Sequence, residues 1–106
     1  MIEFSKKAHK ELSDIYERSK SGNNHGKIIS LNYYGRSYTT SLDGEVKELG
    51  PGMMMILMDS NQLSSVTNYN VSIGGDLFVS VGPKEIFDKK ASNIDFNGEK
   101  FIVIFR

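Results

Sequence analysis

The residues able to do chemistry are few and scattered. There are two histidines and no cysteine in 106 residues, so thiol nucleophiles, disulfides and thiolate metal sites are all excluded. His9 falls in a stretch with Lys6 and Lys10 and no adjacent nucleophile, which reads as a surface histidine. His25 sits in Asn23-Asn24-His25-Gly26, a loop composition, and loops carry function more often than cores do. Asp43, Asp59, Asp76, Asp88 and Asp95 all fall at turns or element ends, where the short carboxylate bonds its own backbone. Two of them would suffice as general acid and base, but no spacing singles out a pair. Zinc needs three or four ligands, and this chain offers no set at ligand spacing, so neither a metal nor a cofactor is expected.

Two further patterns point to binding rather than catalysis. Tyr33, Tyr34 and Tyr38 flank Gly35-Arg36, and tyrosines beside an arginine can stack on a ring or a base; strand tyrosines also serve as half-buried sheet residues. Tyr33, Tyr34, Arg36, Tyr38 and His25 are therefore the candidate binding residues. The run Met53-Met54-Met55-Ile56-Leu57-Met58 is apolar at six consecutive positions. Methionine fills irregular cores and also lines adaptable binding surfaces. The run reads either as a strand buried on both faces or as a sheet face covered by a partner. Gly50-Pro51-Gly52 and Gly74-Gly75 do not lead into a helix through a phosphate-loop pattern, and no nucleophile elbow, zinc-protease helix or EF-hand loop is present.

The elements that must position these residues follow from periodicity. Ile2 to Phe4 reads as a short strand. Ser5 is a good N-cap, and Ala8, Leu12, Ile15 and Ser19 recur at helical spacing, giving an amphipathic helix over residues 5–20. Beyond it the chain reads mainly as strand: Lys27 to Tyr34, Ser37 to Leu42, Glu45 to Leu49 after an Asp43-Gly44 turn, and Met53 to Met58. Asp59 to Ser65 is a loop or one helical turn. Tyr69, Val71 and Ile73 alternate with polar residues, Gly74-Gly75 turns the chain, and Leu77, Val79 and Val81 alternate again. Pro83 to Ala91 reads as a short helix with proline at its first position. Asn93 to Phe96 and Glu99 to Phe105 flank Asn97-Gly98 as a hairpin.

The sum is α+β: one N-terminal amphipathic helix and one short helix packed on a mostly antiparallel sheet, in a single domain over residues 1–106. Leu12, Ile15, Ile56, Val79, Val81, Ile102 and Ile104 are the expected core. Hydrophobic residues at 39% suffice for one core. Thirteen basic against thirteen acidic residues give no net charge, which disfavours nucleic acid as a partner and does not oppose self-association. No apolar run approaches the roughly 20 residues of a membrane span, and the N-terminus lacks a signal peptide's apolar core, so a cytoplasmic protein is expected.

The order of elements resembles one family. Met1-Ile-Glu-Phe-Ser-Lys-Lys-Ala with the following helix is similar to the opening of HesB/IscA-type iron–sulfur assembly proteins. Leu77-Phe-Val-Ser-Val-Gly-Pro-Lys-Glu-Ile-Phe-Asp resembles that family's strand running into a proline-containing short helix. Ile94-Asp95-Phe96 and Phe101-Ile-Val-Ile-Phe resemble its last segments. The likeness covers about half the chain and omits Asp43 to Tyr69. It implies a shared fold without cluster chemistry. The family's first cysteine would fall near Gly35-Arg36-Ser37, its closing Cys-Gly-Cys beyond Arg106, and no ligand carries over to any position here.

Three functions follow as expectations. The leading one is a small non-enzymatic interaction module, such as an inhibitor or adaptor, binding a protein partner or a second copy through its sheet surface. The others are a degenerate HesB/IscA-like domain, and a small hydrolase using scattered carboxylates with His25.

Overall fold

Residues 2–20, 27–35, 37–49, 51–62, 67–75 and 77–106 are described by the computed structural model. The chain opens with β1 (Ile2–Phe4) and turns at Ser5 into α1 (Lys6–Ser19). The Ser5 hydroxyl accepts from the Ala8 N–H at 3.1 Å, satisfying one of the donors that a first helical turn leaves unpaired. The helix buries Ala8, Leu12, Ile15 and Ser19, one per turn along one stripe.

The strands that follow are β2 (Ile28–Tyr34), β3 (Ser37–Thr40), β4 (Val46–Leu49), β5 (Gly52–Met58), β6 (Tyr69–Gly74), β7 (Leu77–Gly82), β8 (Ser92–Phe96) and β9 (Phe101–Phe105). A 3-10 turn at Ser60–Gln62 follows β5, and α2 (Lys84–Phe87) follows β7. Seven strands form one sheet in the order β1-β8-β9-β5-β2-β7-β6, while β3 and β4 form a separate two-stranded ribbon. The hairpins read from the sequence at Asp43-Gly44 and Asn97-Gly98 are there, but residues 41–45 and 97–100 connect their strands, in place of two-residue turns. Gly44 and Gly98 take positive φ angles of 86° and 99°, in the left-handed region that favours glycine. Asn97 accepts from the Glu99 and Lys100 N–H groups at 2.9 Å.

The sheet corrects the expected fold class. It is not mostly antiparallel but mixed: β1 pairs with β8, and β2 with β7, in parallel. Strand also outweighs helix among the described residues, at 50% against 23%, so the helices are additions to a sheet that nearly closes into a barrel. Glycine-containing turns announce only antiparallel neighbours. Parallel partners are joined by long crossovers that leave no local signature. The second helix is also shorter than Pro83 to Ala91: Phe87 is buried and Ile86 packs against the core, while Asp88, Lys89 and Lys90, which follow, are solvated.

The core lies under α1. Ile29 stands beside Val79 and Leu31 beside Val81 on the central parallel pair, all at most 2% exposed. Met53, Leu77, Phe87, Ile94 and Phe101 complete it. Leu12, Ile15, Val79 and Val81 are buried as expected, but Ile56 is 41% exposed, Ile104 is 53% exposed and Ile102 is only partly covered. In β9 the inward positions are Phe101, Val103 and Phe105. Ile102 and Ile104 occupy the opposite face, which no helix among the described residues covers.

Candidate binding surface

The tyrosines of the proposed binding cluster do not converge. Consecutive strand residues point to opposite faces, so Tyr33 and Tyr34 must part. Tyr33 faces the core side and meets Phe105 edge to face, with ring centroids 5.5 Å apart. Tyr34 lies on the other face across its ladder partner Gly52, where a Cβ on the glycine would sit 3.1 Å from the phenol oxygen. Tyr38 is exposed on the β3–β4 ribbon. Arg36 and His25 lie outside the described residues.

The aspartates singled out in the sequence are equally dispersed, and each described one has a partner. Asp59 pairs with Lys27 at 3.6 Å, Asp88 accepts from the Tyr69 phenol, and Asp43 accepts from the Ser41 hydroxyl and the Glu45 N–H. Asp95 accepts the Ser5 hydroxyl proton at 2.5 Å and its neighbour's N–H at 2.8 Å. The Ser5 hydroxyl, the Phe96 N–H and the charge of Lys7 hold Asp95 below the usual carboxylate range. Asp76 lies outside the described residues. Among the described residues no three His, Cys, Asp or Glu side chains gather in a metal-sized group.

Several functional-looking features escaped the sequence reading. His9 does more than face solvent: its Nε2 donates to the Ile73 carbonyl at 2.5 Å, tying α1 to the edge strand β6. A polar network crosses the β2–β7 pair. Asn68 donates to Asn32 and to Ser80, both at 3.0 Å, and Asn32 donates to Ser30 at 2.9 Å. Its members read as unremarkable strand and loop polars in sequence. Only the parallel pairing brings them together. A groove of about 510 Å³ also lies between the two sheet edges, lined by Ile2 of β1, Tyr69 to Ser72 of β6, and Phe87 and Asp88.

The main departure is β5. It is the fourth of seven strands, and the sequence reading made a doubly buried strand one of its two options. Met53 is buried, but Met54 is 59%, Met55 36% and Ile56 41% exposed. Its ladders explain this. β5 pairs with β2 along its whole length, from Tyr34↔Gly52 to Ile28↔Met58, but with β9 at Met53↔Phe101 alone. The β8–β9 hairpin turns back at residues 97–100, so it covers only the first residues of β5. Phe78 of β7 and Ile104 of β9 add exposed apolar area on the face away from α1.

No protein-family model and no curated protein matches this chain. No helix among the described residues is long and apolar enough to cross a membrane.

Proposed function

We propose that this protein is a small non-enzymatic interaction module that works through its sheet surface, with a second copy of itself as the partner. The observation that carries this reading is the exposure of Met54, Met55 and Ile56 on both faces of a central strand. Contiguous apolar surface of this kind marks an interaction site or an aggregation liability, and a folded chain is selected against the second. Charge does not oppose the contact. The chain carries thirteen bases and thirteen acids, and β5 has no charged residue between Gly52 and Met58. A two-fold symmetric pair is the commonest way to cover a self-complementary patch. The dispersal of the carboxylates among local partners supports binding over hydrolysis.

Light scattering across a micromolar concentration series tests the reading. The expected mass is twice the 11.9 kDa of one chain. A mass of one chain that does not change on concentration overturns it.

A further inference from the structure

We infer that β5 is a site of oxidative modification: a peroxide converts Met54 and Met55 to methionine sulfoxides ahead of Met53, and the oxygens so added take the apolar surface out of use. The oxidation itself is independent of the reading just given; its effect on association rests on that reading.

The composition makes the first argument. The chain has five methionines and no cysteine, and four of the five lie within Met53–Met58. A peroxide, which elsewhere reacts first with thiolates, meets only thioethers here, and they are gathered in one strand.

The strand then presents the same side chain in three settings. Met53 is 4% exposed and stands beside its ladder partner Phe101. Met55 is 36% exposed and lines a cleft of about 230 Å³ with Ile15, Phe96 and Phe101. Met54, on the opposite face with Ile56, is 59% exposed. β5 is paired with β2 from Ile28↔Met58 to Tyr34↔Gly52, so its backbone is fixed and each sulfur keeps its own access to solvent. Susceptibility follows exposure, which sets the order Met54, Met55, Met53.

The step is a two-electron oxygen transfer. A sulfur lone pair attacks one oxygen of hydrogen peroxide, and the S–O bond forms as the O–O bond breaks. The departing hydroxide takes the proton of the transferred oxygen and leaves as water. Sulfur is oxidised and the peroxide is reduced. Thiol-dependent reductases return the sulfoxide to the thioether, one enzyme for each epimer at sulfur. The product sets a polar oxygen on an apolar surface. Covering that surface again buries the oxygen, and the neighbouring Ile56 side chain carries no donor to meet it. The folded chain tolerates the oxygen at Met54, which is solvated, whereas at Met53 it would enter the core. A pair of chains joined through this surface shields the same sulfurs, so association and oxidation compete.

Tandem mass spectrometry of peptic peptides through a hydrogen peroxide time course tests the site. Met54 is expected to oxidise first and Met55 second, with Met53 at least about tenfold slower than in the same protein unfolded in urea. Equal rates at the three positions, or a Met53 rate unchanged by folding, overturn the site. Light scattering on the mapped samples tests the consequence. Protein oxidised at Met54 and Met55 is expected to dimerise with a dissociation constant raised at least about tenfold, and the two sulfoxide reductases with a dithiol are expected to restore it. A dimer unmoved by those two sulfoxides, or one that their reduction does not restore, overturns the effect on association. A monomer before any peroxide is added overturns the interaction reading instead, and the mapped order alone then upholds or overturns the site.

Discussion

One hydroxyl joins the start of the chain to its end. Ser5 accepts from Ala8 to cap α1 and donates to Asp95 in β8, while its own N–H donates to the Ile94 carbonyl at 2.9 Å. Ser5→Ala is therefore expected to cost about 1 kcal/mol through the cap alone, read by urea denaturation. Asp95 adds a pH dependence. Its folded-state pKa lies below the unfolded value, so its stabilising contribution is present above roughly pH 4, the ordinary Asp value, and is lost as pH falls through the lowered folded value. Asp95→Asn should flatten the acid limb of the stability profile as pH falls below about 4. Gly82 is the second informative residue. A Cβ there would sit 2.0 Å from the Asn68 side-chain oxygen, and Asn68 is held by Asn32 and Ser80. Gly82→Ala should expel Asn68 and cost about 1–3 kcal/mol for the hydrogen bonds left unmade. Asn68→Ala should cost a similar amount, and the double variant should fall well short of the sum, because both remove the same contacts.

At the level of elements, β9 and β7 separate position from composition. The five residues of FIVIF are all apolar, and composition alone does not rank them. In the folded chain Ile104 is more than half exposed, whereas Val79 is fully buried beside Ile29. Ile104→Ala is expected to cost below about 1 kcal/mol. Ile94→Ala, at a fully buried position of β8, is expected to cost about 2–5 kcal/mol. Comparable denaturation midpoints for the two variants would show that the inward and outward faces of the β8–β9 hairpin are wrongly assigned. The β3–β4 ribbon belongs to the same scale. Leu42 at its tip and Tyr38 and Val46 along it are exposed, and a two-stranded ribbon is only marginally stable by itself in water. Its continuity with the long β2–β5 pair is what holds its ends together.

For the whole molecule, association and stability are linked. If two chains share a seam at β5, anything that keeps them together stabilises the fold by mass action, so the melting temperature should rise with protein concentration. Met55→Lys should abolish that dependence while leaving the melting temperature at low concentration close to the parent's. A melting temperature independent of concentration in the parent would count against a shared seam.

Much of the chain was legible without its structure wherever the signal was local. The cap at Ser5, the buried stripe of Ala8, Leu12 and Ile15, the glycine turns at Gly44 and Gly98, and the alternation in β6 and β7 each depend on residues within a few positions of one another. Short-range sterics and hydrogen bonds decide such features, and they are written in residue type. The parallel ladders, the Asn32, Asn68 and Ser80 network, the bond from His9 to Ile73, and the scatter of Tyr33, Tyr34 and Tyr38 depend on partners far apart in sequence. Met53 to Met58 shows the division most sharply. Residue type made it an apolar strand, but whether that strand is buried depends on how far β9 overlaps it. That overlap stops at Met53↔Phe101 because the β8–β9 hairpin turns there, so the neighbouring elements, not the strand's own residues, left Met54, Met55 and Ile56 in the open.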